Sequence, residues 1–447
     1  MVAYLDIMMK HTQLKPIHCL SPLSFNQEWV NCLFSEVETV WVGFSGGVDS
    51  HVLLNAIVSQ LSFQQKKNIA VIHVHHGLSD HADSWLNHCK QVCQKLGVRF
   101  EAQYVQLEIQ ASVEDAARNA RYQAFESVMS TKDVLLLAHH GDDQVETVLF
   151  RLLRGTGGKG LSGMPRTRTI GKKGACLVRP LLGVSKASIE NYAYQEKLEW
   201  IQDESNLDER FTRNFLRHRV VPILKERFPT MEQNIVVSAQ RIETDYRILS
   251  QFAYRQLEEW CNEFGGLNLS FITKKAVGER LFWLRHFLQS KGLSLPHAQL
   301  ESIEKMLSGG QDRHPEFQLS NGRIMRHKNT IYLLPLDKPA KFSPLNAGAV
   351  LVRPFDQVRV DGCESCVLRE RPHGAVLTLK NGKSRKLKKW LNDLQVPSWW
   401  RDHLPYLFVG DELIAVGSLW LHPDYQHVQI EWRLSGELPL LMITEKH

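Results

Sequence analysis

A Ser- and Gly-rich loop, residues 45–50 (SGGVDS), constrains the fold of this chain more than any other stretch. It follows an apolar run over residues 40–44 that predicts a buried strand, and it precedes an amphipathic stretch that predicts a helix. Free backbone N–H groups and the helix dipole make such a junction a binding site for anions. Gly46 and Gly47 let the backbone turn sharply and approach a phosphate closely. An ordinary glycine turn with a side-chain cap is the alternative interpretation.

Apolar runs and helical patterns alternate through the first third of the chain. This alternation predicts an α/β fold, namely a doubly wound parallel sheet with helices on both faces. Ligands of such sheets lie at the carboxyl ends of the strands. The further predicted strands cover residues 69–76, 98–105 and 133–138, and the predicted helices cover residues 24–37, 50–58, 83–96, 112–129 and 142–153.

Histidines end two of the predicted strands. His73, His75 and His76 lie at the end of the second strand, and His139 follows the fourth. Along a strand, His73 and His75 share one face and His76 lies on the other. No Cys or carboxylate lies nearby at the spacing of zinc ligands. We therefore favour nucleotide contact or packing over a metal site.

Acidic residues open the helix predicted from residue 142. Asp142 and Asp143 are adjacent, and Glu146 lies one turn later. The helix dipole alone favours acids in the first turn. Arg118 and Arg121, on the preceding predicted helix, are candidates to pair with Glu146 or to bind phosphate, and an ordinary surface pair is the alternative.

Length and composition predict a cytoplasmic protein of two or three domains. The chain has 447 residues, a net charge of +6, and no stretch near the roughly 20 apolar residues that span a membrane. Its first residues lack the layout of a signal peptide. Eight cysteines without disulfide-framework spacing predict free thiols, and the lone CxxC at residues 363–366 is interpreted as incidental.

The loop over residues 45–50 resembles the SGGxDS pyrophosphate-binding loop of the N-type ATP pyrophosphatases, the PP-loop superfamily. It has neither the GxxxxGK[ST] pattern nor the lysine of a Walker A loop. The resemblance implies an enzyme that cuts ATP between its α- and β-phosphates and passes AMP to an oxygen of its substrate.

Five later motifs follow the loop in order. They are HVHHGL from residue 73, AHHxDDQxET from 138, RGxGxxGLxGM from 154, RPLL from 179 and DxSNxDxxxxRNxxRxxxxPxL from 203. Together with the loop they resemble the tRNA(Ile)-lysidine synthetase family over the first half of the chain. Gly141 departs from the family pattern, in which Leu is common before the Asp pair.

This resemblance implies a ligase that uses ATP, L-lysine and the isoleucine tRNA with a CAU anticodon, with Mg²⁺ as cofactor. The 2-carbonyl oxygen of the wobble cytidine attacks the α-phosphorus of ATP, and pyrophosphate leaves. The lysine ε-amine then displaces AMP from the adenylated base. The resulting lysidine pairs with A, so the tRNA reads AUA instead of AUG.

Residue roles are assigned within these motifs, except for Arg118, which lies on the helix predicted over residues 112–129. For catalysis we select Asp49, Arg118 and Glu146. The candidate Mg²⁺ ligands are Asp49 and Asp143. The candidates for lysine binding or a lid are Asp142, Gly157, Lys159 and Asn206. The candidate ATP-binding residues are Ser45, Gly46, Gly47, Val48, Asp49, Ser50, His75 and His139. Which carboxylate deprotonates lysine stays open.

Two basic segments are candidates for tRNA binding, and a solvated basic helix is the alternative for both. In the first, Arg213 and Arg217 lie at helical spacing. In the second, Ser384 is predicted to cap a helix whose Leu387 and Leu391 face inward. The candidate tRNA-binding residues of this second segment are Lys383, Arg385, Lys386 and Lys389.

The domain prediction has three parts. A PP-loop catalytic domain covers residues 1–222, and a mainly helical, tRNA-contacting domain with terminal strands covers residues 223–340. A small mixed α/β domain that binds tRNA covers residues 345–447. Proline-containing stretches suggest these boundaries, with a linker over residues 337–346. The oligomeric state stays open, with a homodimer as one alternative.

Two rival interpretations remain. A tRNA thiolase of the same superfamily needs a reactive cysteine or an iron–sulfur site near the loop. Cys89 and Cys93 lie one helical turn apart, a spacing that is also ordinary in helix packing. An RNA-binding protein with a regulatory nucleotide loop would bind tRNA without splitting ATP. Cysteine substitution and an assay of ATP cleavage distinguish these alternatives.

Overall fold

The fold is given by a computed structural model. It forms two compact units, Met1–Arg247 and Ile248–His447. The three-domain division stays a prediction. Within the residues described, no helix combines the length and apolar character needed to cross a membrane. The structure describes residues 23, 25–35, 37–77, 79, 81–106, 113–171, 174–262, 265–307, 316–319, 322–334, 343–345, 348–353, 356–363, 365–379, 382–394, 396, 401–402 and 404–434.

The first unit is built on a mainly parallel sheet. Its strands are β1 (Val40–Gly43), β2 (Ile69–His75), β3 (Arg99–Tyr104), β4 (Val134–Leu136), β5 (Thr167–Ile170) and β6 (Ala175–Val178). Their order is β3-β2-β1-β4-β6-β5. Neighbours are parallel from β3 to β6, whereas β5 runs antiparallel to β6. This arrangement confirms the predicted fold class.

Helices cover both faces of this sheet. The helices of this unit are α1 (Gln27–Ser35), α2 (Val48–Val58), α3 (Ala82–Leu96), α4 (Val113–Val128), α5 (Gly141–Leu153), α6 (Gly158–Leu161), α7 (Lys186–Gln195), α8 (Thr212–Phe215) and α9 (Val221–Arg227). Alternate residues of a strand face opposite sides. Val40 and Val42 are therefore buried with α2, α3 and α7, whereas Trp41 is buried with Phe125 of α4 on the other face.

The sequence patterns miss β5, β6 and α6. Each of these elements has four residues, too few for a period to stand out from the surrounding loop. Helix α3 begins at Ala82, one residue before its predicted start. His81 precedes that helix, and Asp83 lies in its first turn, where the helix dipole favours an acid.

The basic segment after residue 203 forms successive short turns rather than one helix. A 3-10 turn, Glu204–Leu207, precedes α8, and a π-helical turn, Leu216–Val220, follows it. Pro222 lies in the first turn of α9, where its missing N–H removes no helical hydrogen bond. The helix therefore continues past the proline to Arg227.

The second unit begins with helices and continues with short strands. The helices are α10 (Met231–Trp260), which starts in the first unit, α11 (Val277–Ser290) and α12 (His297–Leu307). The strands β7 (Leu267–Asn268), β8 (Glu316–Leu319), β9 (Gly322–His327) and β10 (Thr330–Leu334) form one sheet in the order β7-β10-β9-β8. The mainly helical middle region is thereby confirmed. Residues 337–342 and 346 of the predicted linker lie outside the described residues.

The C-terminal region is a small mixed α/β structure, as predicted. Its elements are β11 (Ser343–Leu345), β12 (Val350–Arg353), β13 (Asp356–Asp361), β14 (Cys366–Arg369), β15 (Val376–Thr378), β16 (Ser384–Lys386), α13 (Leu387–Asp393), β17 (Tyr406–Val409), β18 (Glu412–Val416), β19 (Trp420–Leu421) and β20 (Gln429–Leu434). Ser384 begins β16 and is not the cap of α13, so that prediction is wrong. Leu387 and Leu391 are buried, as predicted. Cys363 and Cys366 form a disulfide, so the prediction of free thiols is wrong for this pair.

Candidate active site

The loop over residues 45–50 joins β1 to α2 at the carboxyl end of the sheet. Gly46 has a φ of +86°, in the left-handed region that favours glycine. Gly47 precedes α2, and no described side chain caps the first turn, so backbone N–H groups there can receive a ligand. The Ser50 hydroxyl braces the loop, because it accepts from the Ser45 N–H at 3.2 Å and donates to the Gly47 carbonyl at 3.0 Å.

The backbone at Gly46 is also closely surrounded. The Ile201 N–H donates to the Gly46 carbonyl at 3.0 Å, so the segment after α7 is fastened to the loop. A Cβ at residue 46 would overlap the Ile201 side chain and lie 3.0 Å from Cys89 Sγ. Both the conformation and the space at this position therefore require glycine.

His140 lies at the centre of an acidic cluster formed by Asp49, Asp142, Asp143 and Glu146. It directly precedes α5 and is 4% exposed. Its Nε2 is 3.7 Å from Asp49 Oδ1 and 3.5 Å from Asp143 Oδ2. Its Nδ1 is 3.7 Å from Asp142 Oδ1. One imidazole thus lies beside the three aspartates at once.

Burial and charge act against each other in this cluster. Burial lowers the pKa of His140, but attraction to the three aspartates outweighs it, so the pKa is raised. Burial acts to raise the pKa of Asp142 and Asp143, yet nearby His140 holds both below their ordinary values. Burial raises the pKa of Glu146, even though Arg217 opposes the shift. Glu146 therefore has a higher proton affinity than an ordinary glutamate.

Glu146 forms a bidentate ion pair with Arg217. The Arg217 Nε donates to Oε1 at 2.6 Å, and Nη2 donates to Oε2 at 3.0 Å. The same Nη2 lies 3.3 Å from Asp143 Oδ1. Glu146 therefore pairs with Arg217, and not with the arginines of the preceding helix that the sequence suggested. The predicted tRNA role of Arg217 stays a prediction, because its guanidinium is engaged in the acidic cluster here.

Arg213 lies on the same side of this site. Its Nη2 donates to Thr147 Oγ1 at 2.8 Å, next to Glu146 in sequence. Arg213 is thereby placed beside α5, and its predicted contact with tRNA also stays a prediction.

Lys186 is a site residue that the sequence reasoning missed. Its Nζ donates to Asp49 Oδ1 at 2.6 Å, and its backbone N–H donates to Asp142 Oδ1 at 2.8 Å. It is the first residue of α7, which follows the RPLL motif. No local pattern marks this lysine, because its partner Asp49 lies 137 residues earlier.

The Gly-rich stretch after α5 is fastened to that helix by two side chains. Gln144 donates to the Met164 carbonyl at 3.1 Å and accepts from the Met164 N–H at 2.7 Å. Arg151 Nη1 donates to the Gly160 carbonyl at 3.0 Å. Lys159 is exposed and directly precedes the anchored Gly160. The predicted lid residues Gly157 and Lys159 therefore lie on a tethered segment.

The other candidate residues of the first unit, His75, His139 and Asn206, each have different neighbours. His75 Nε2 lies 3.2 Å from Asp83 Oδ1. Burial lowers the pKa of His139 to about 3, against the attraction of Asp143, so its ring is neutral at neutral pH. Asn206 is exposed, and its carbonyl lies 2.9 Å from the ring of His218.

The basic residues of the second unit lie around β16 and α13. Lys383, Lys386 and Lys389 are exposed, whereas Arg385 is half-buried and forms an ion pair with Asp393. A basic surface of this kind suits a polyanion.

The residues of the acidic cluster fit a magnesium ion that is shared with a nucleotide. Among the described residues, no group of three or more His, Cys, Asp or Glu is arranged to hold a metal by itself. Magnesium commonly takes one or two protein carboxylates and completes its coordination with phosphate oxygens and water. Asp49 and Asp143, which both lie beside His140, provide such a pair of carboxylates.

A doubly wound sheet with this loop and acidic cluster defines an ATP pyrophosphatase of the PP-loop class. The PP-loop domain family model matches residues 23–224. Models for the TilS substrate binding domain and the TilS substrate C-terminal domain match residues 283–332 and 366–435. Among solved structures, the U34-tRNA thiolase NcsA from Methanococcus maripaludis is similar over 54% of this chain and 80% of its own, at 15% identity and a TM-score of 0.41.

Two curated relatives match nearly the whole chain. The tRNA(Ile)-lysidine synthase of Pseudomonas syringae pv. tomato is 37% identical over 397 residues, covering 85% of this chain and 88% of the relative. That of Vibrio cholerae is 33% identical over 427 residues, covering 88% of this chain and 94% of the relative. The chain belongs to the tRNA(Ile)-lysidine synthase family.

The surroundings of Gly46 give a testable prediction. We expect Gly46→Ala to lower the free energy of unfolding by about 2 kcal/mol or more, because alanine disfavours a positive φ and its methyl group overlaps Ile201. We also expect ATP cleavage to fall about 100-fold, since displaced loop atoms misplace the phosphates. Thermal unfolding and tRNA-dependent release of AMP measure the two effects.

Gly47→Ala is the matched control for stability. Gly47 has a φ of −72°, and within the described part of the chain a Cβ there would meet only Ser45 Oγ, at 3.5 Å. We expect its unfolding temperature to stay close to that of the native chain. Equal destabilisation by the two substitutions would contradict our account of Gly46.

Proposed function

We propose that this chain joins the ε-amine of L-lysine to the wobble cytidine of the isoleucine tRNA with a CAU anticodon, in two steps driven by ATP. The observation that carries the proposal is the contact of the loop residue Asp49 with His140 and with Lys186. These contacts bring a pyrophosphate-binding loop and an acidic cluster into one site, where transfer of AMP from ATP can be followed by attack of an amine. Membership of the tRNA(Ile)-lysidine synthase family supports the same reaction.

In the first step, the loop binds the phosphates of ATP and the wobble base attacks the α-phosphorus. Backbone N–H groups at the start of α2 and the dipole of that helix offset charge on the departing pyrophosphate. Lys186 supplies an ammonium group beside a loop that has no lysine of its own. We assign it the same electrostatic role, in which it exchanges Asp49 for a phosphate oxygen.

Asp49 and Asp143 would hold Mg²⁺ in this site. When bound, the ion supplies positive charge that stabilises the phosphates. His140 keeps the two carboxylates in place, because its ring lies 3.7 Å from Asp49 and 3.5 Å from Asp143. Its backbone N–H also donates to Asp143 Oδ2 at 3.0 Å.

In the second step, the ammonium of lysine must lose a proton before its nitrogen can attack the adenylated base. We assign Glu146 as the proton acceptor, because burial raises its pKa. Arg217 fixes both of its oxygens by the bidentate pair. Asp142 is the alternative acceptor, although the Lys186 N–H already engages one of its oxygens.

We further propose that the exposed lysines around α13 bind the tRNA backbone. Lys383, Lys386 and Lys389 carry positive charge on one short segment. Such contacts add affinity without reading the base that is modified. Because the substrate is tRNA, we place the protein in the cytoplasm.

The direct test is ATP-dependent transfer of labelled lysine to RNA. We expect label in the CAU-anticodon isoleucine tRNA and none in methionine tRNA with the same anticodon. The bond should survive the mild alkali that removes ester-linked amino acids. ATP cleavage to AMP and pyrophosphate without lysine transfer would overturn the proposed nucleophile. Binding of tRNA without ATP cleavage would favour the regulatory RNA-binding alternative.

Asp49→Asn tests the junction between loop and acidic cluster. We expect tRNA-dependent AMP formation to fall by about 100-fold or more, since the substitution removes the charge that faces Lys186 and His140. The affinity for tRNA should stay within a few-fold. Asp411→Asn is the matched control, because Asp411 forms an exposed ion pair with Arg369 on the second unit. Normal AMP formation by Asp49→Asn would show that the assigned site is wrong.

Charge reversal tests the basic segment. We expect Lys386→Glu with Lys389→Glu to weaken tRNA binding about tenfold at moderate salt and to reduce the slope of log Kd against log salt by about 2. Cleavage of ATP at saturating tRNA should persist. The control reverses Lys90 and Lys95, two exposed lysines of α3. If both double variants bind tRNA equally well, the segment is only solvated surface.

Cysteine substitution distinguishes the ligase from a thiolase. Burial raises the pKa of both Cys89 and Cys93 to about 12, so these thiols stay protonated and unreactive at neutral pH. We therefore expect Cys89→Ala with Cys93→Ala to retain lysine transfer within a few-fold. Alanine avoids placing a hydroxyl in this buried position. Loss of activity in a variant that remains folded, as judged by circular dichroism, would favour the thiolase.

A further inference from the structure

Arg179 opens the RPLL motif, to which the proposed reaction assigns no role. Its side chain follows β6 and the residue is only 2% exposed. Nη1 donates to the Pro165 carbonyl at 2.7 Å and the side chain also hydrogen-bonds to Tyr122, whereas Nε has no hydrogen-bond partner among the described residues. Among the described residues, no carboxylate forms an ion pair with Arg179. A cation is thus buried in the free protein with hydrogen bonds to neutral groups but no described carboxylate to neutralise it.

A second arginine lies beside it on the edge strand β5. The guanidinium of Arg168 is 4.4 Å from the centre of the Tyr122 ring, and its Nε also lacks a partner among the described residues. Arg118 lies over the same ring at 5.8 Å. A guanidinium stacked on an aromatic face keeps its N–H groups pointing outward in its own plane, where they can bind an anion.

The positively charged arginines in this region repel one another. Burial lowers the pKa of Arg179, the Tyr122 hydroxyl opposes this shift, and Arg168 adds to it. Burial likewise lowers the pKa of Arg151, with help from Arg118. A buried cation without a partner destabilises a protein unless a ligand supplies the opposite charge. The free energy lost in the free protein can therefore be recovered on binding an anion.

We infer that Arg168 and Arg179, arranged around Tyr122, bind a phosphodiester group of the RNA substrate beside the base that is modified. This inference rests on the proposed function for the identity of the RNA. A planar guanidinium matches two oxygens of a phosphate better than an ammonium does. Arginines that stack on an aromatic ring are also common where proteins bind single-stranded RNA.

The position in the sheet favours RNA over ATP as the source of the phosphate. The pyrophosphate-binding loop follows β1, whereas Arg179 follows β6, and β4 lies between those strands. Two strand spacings correspond to about 10 Å across the sheet. Tyr122 lies on α4, on the face opposite to α2. The arginines therefore lie beside the nucleotide site and do not form its loop.

The test uses the full chain and a fluorescent anticodon stem-loop of the CAU isoleucine tRNA. The variants are Arg168→Gln and Arg179→Met, which remove charge at similar size. The matched control is Arg99→Gln, because Arg99 also stacks on an aromatic ring, 4.8 Å from that of Trp41. Binding is measured over a range of salt concentrations. Kd for ATP and KM for lysine are measured for the same proteins, with circular dichroism to check folding.

We expect each variant to weaken stem-loop binding about tenfold and to lower the salt slope by about 1, with ATP and lysine constants unchanged. Unchanged RNA binding by a folded Arg168→Gln would overturn the inference, even if Arg179→Met failed to fold. Weaker ATP binding instead would assign the arginines to the nucleotide. A raised KM for lysine instead would assign them to its carboxylate, and both results exclude our assignment.

Failure of the proposed function would look different from failure of this inference. If the native chain transfers no lysine while both variants still lose affinity for the stem-loop, the phosphate site stands and the reaction is wrong. If lysine transfer is normal and the variants bind RNA like Arg99→Gln, the reaction stands and the phosphate site is wrong.

Discussion

Four carboxylates lie close together at the carboxyl end of the parallel sheet, and their mutual repulsion must be offset for this region to fold. Burial makes the requirement stronger, because a buried like-charge group without a partner is costly. The structure meets it with one imidazole, one ammonium and one guanidinium. These come from His140, Lys186 and Arg217 and contact the cluster at distances between 2.6 and 3.7 Å. The positions of α5, α7 and the turn after α8 all depend on these contacts.

The same contacts explain how separate motifs form one site. Asp49 lies on the loop before α2, and Lys186 begins α7, yet their side chains are joined by a 2.6 Å hydrogen bond. Arg217 connects the π-helical turn to α5 through Glu146. In the proposed mechanism, Lys186 exchanges Asp49 for a phosphate oxygen and Glu146, the partner of Arg217, accepts a proton from lysine. When phosphates or an amine bind, the charged side chains of the cluster can therefore change partners, and no buried charge is left without an opposite charge.

The sequence predicts the parts of the site that depend on local patterns. The turn at Gly46 and the acids that open α5 follow from residues close in sequence, and the structure has the loop and the helix as expected. Ion pairs between residues far apart in the sequence cannot be predicted in this way. Arg217 reads as a free basic residue in a segment rich in arginine, but its guanidinium pairs with Glu146, which lies 71 residues earlier. Lys186 has no neighbour in sequence that reveals its partner. Such pairings depend on tertiary packing, which a single sequence does not display.

Arg217 and Arg179 differ in their partners, and this difference distinguishes an arginine with a structural role from one that is available to a ligand. Arg217 has a bidentate carboxylate, so its charge is satisfied before any substrate arrives. Arg179 is more deeply buried, hydrogen-bonds to the Pro165 carbonyl and to Tyr122, and is repelled by Arg168, so no described carboxylate neutralises its charge. Replacing Arg217 would leave Glu146 buried without its ion-pair partner and would disturb the acidic cluster. Replacing Arg179 would relieve repulsion in the free protein. A cation retained at such an unfavourable position is best accounted for by an anionic ligand, because binding converts its repulsion into attraction.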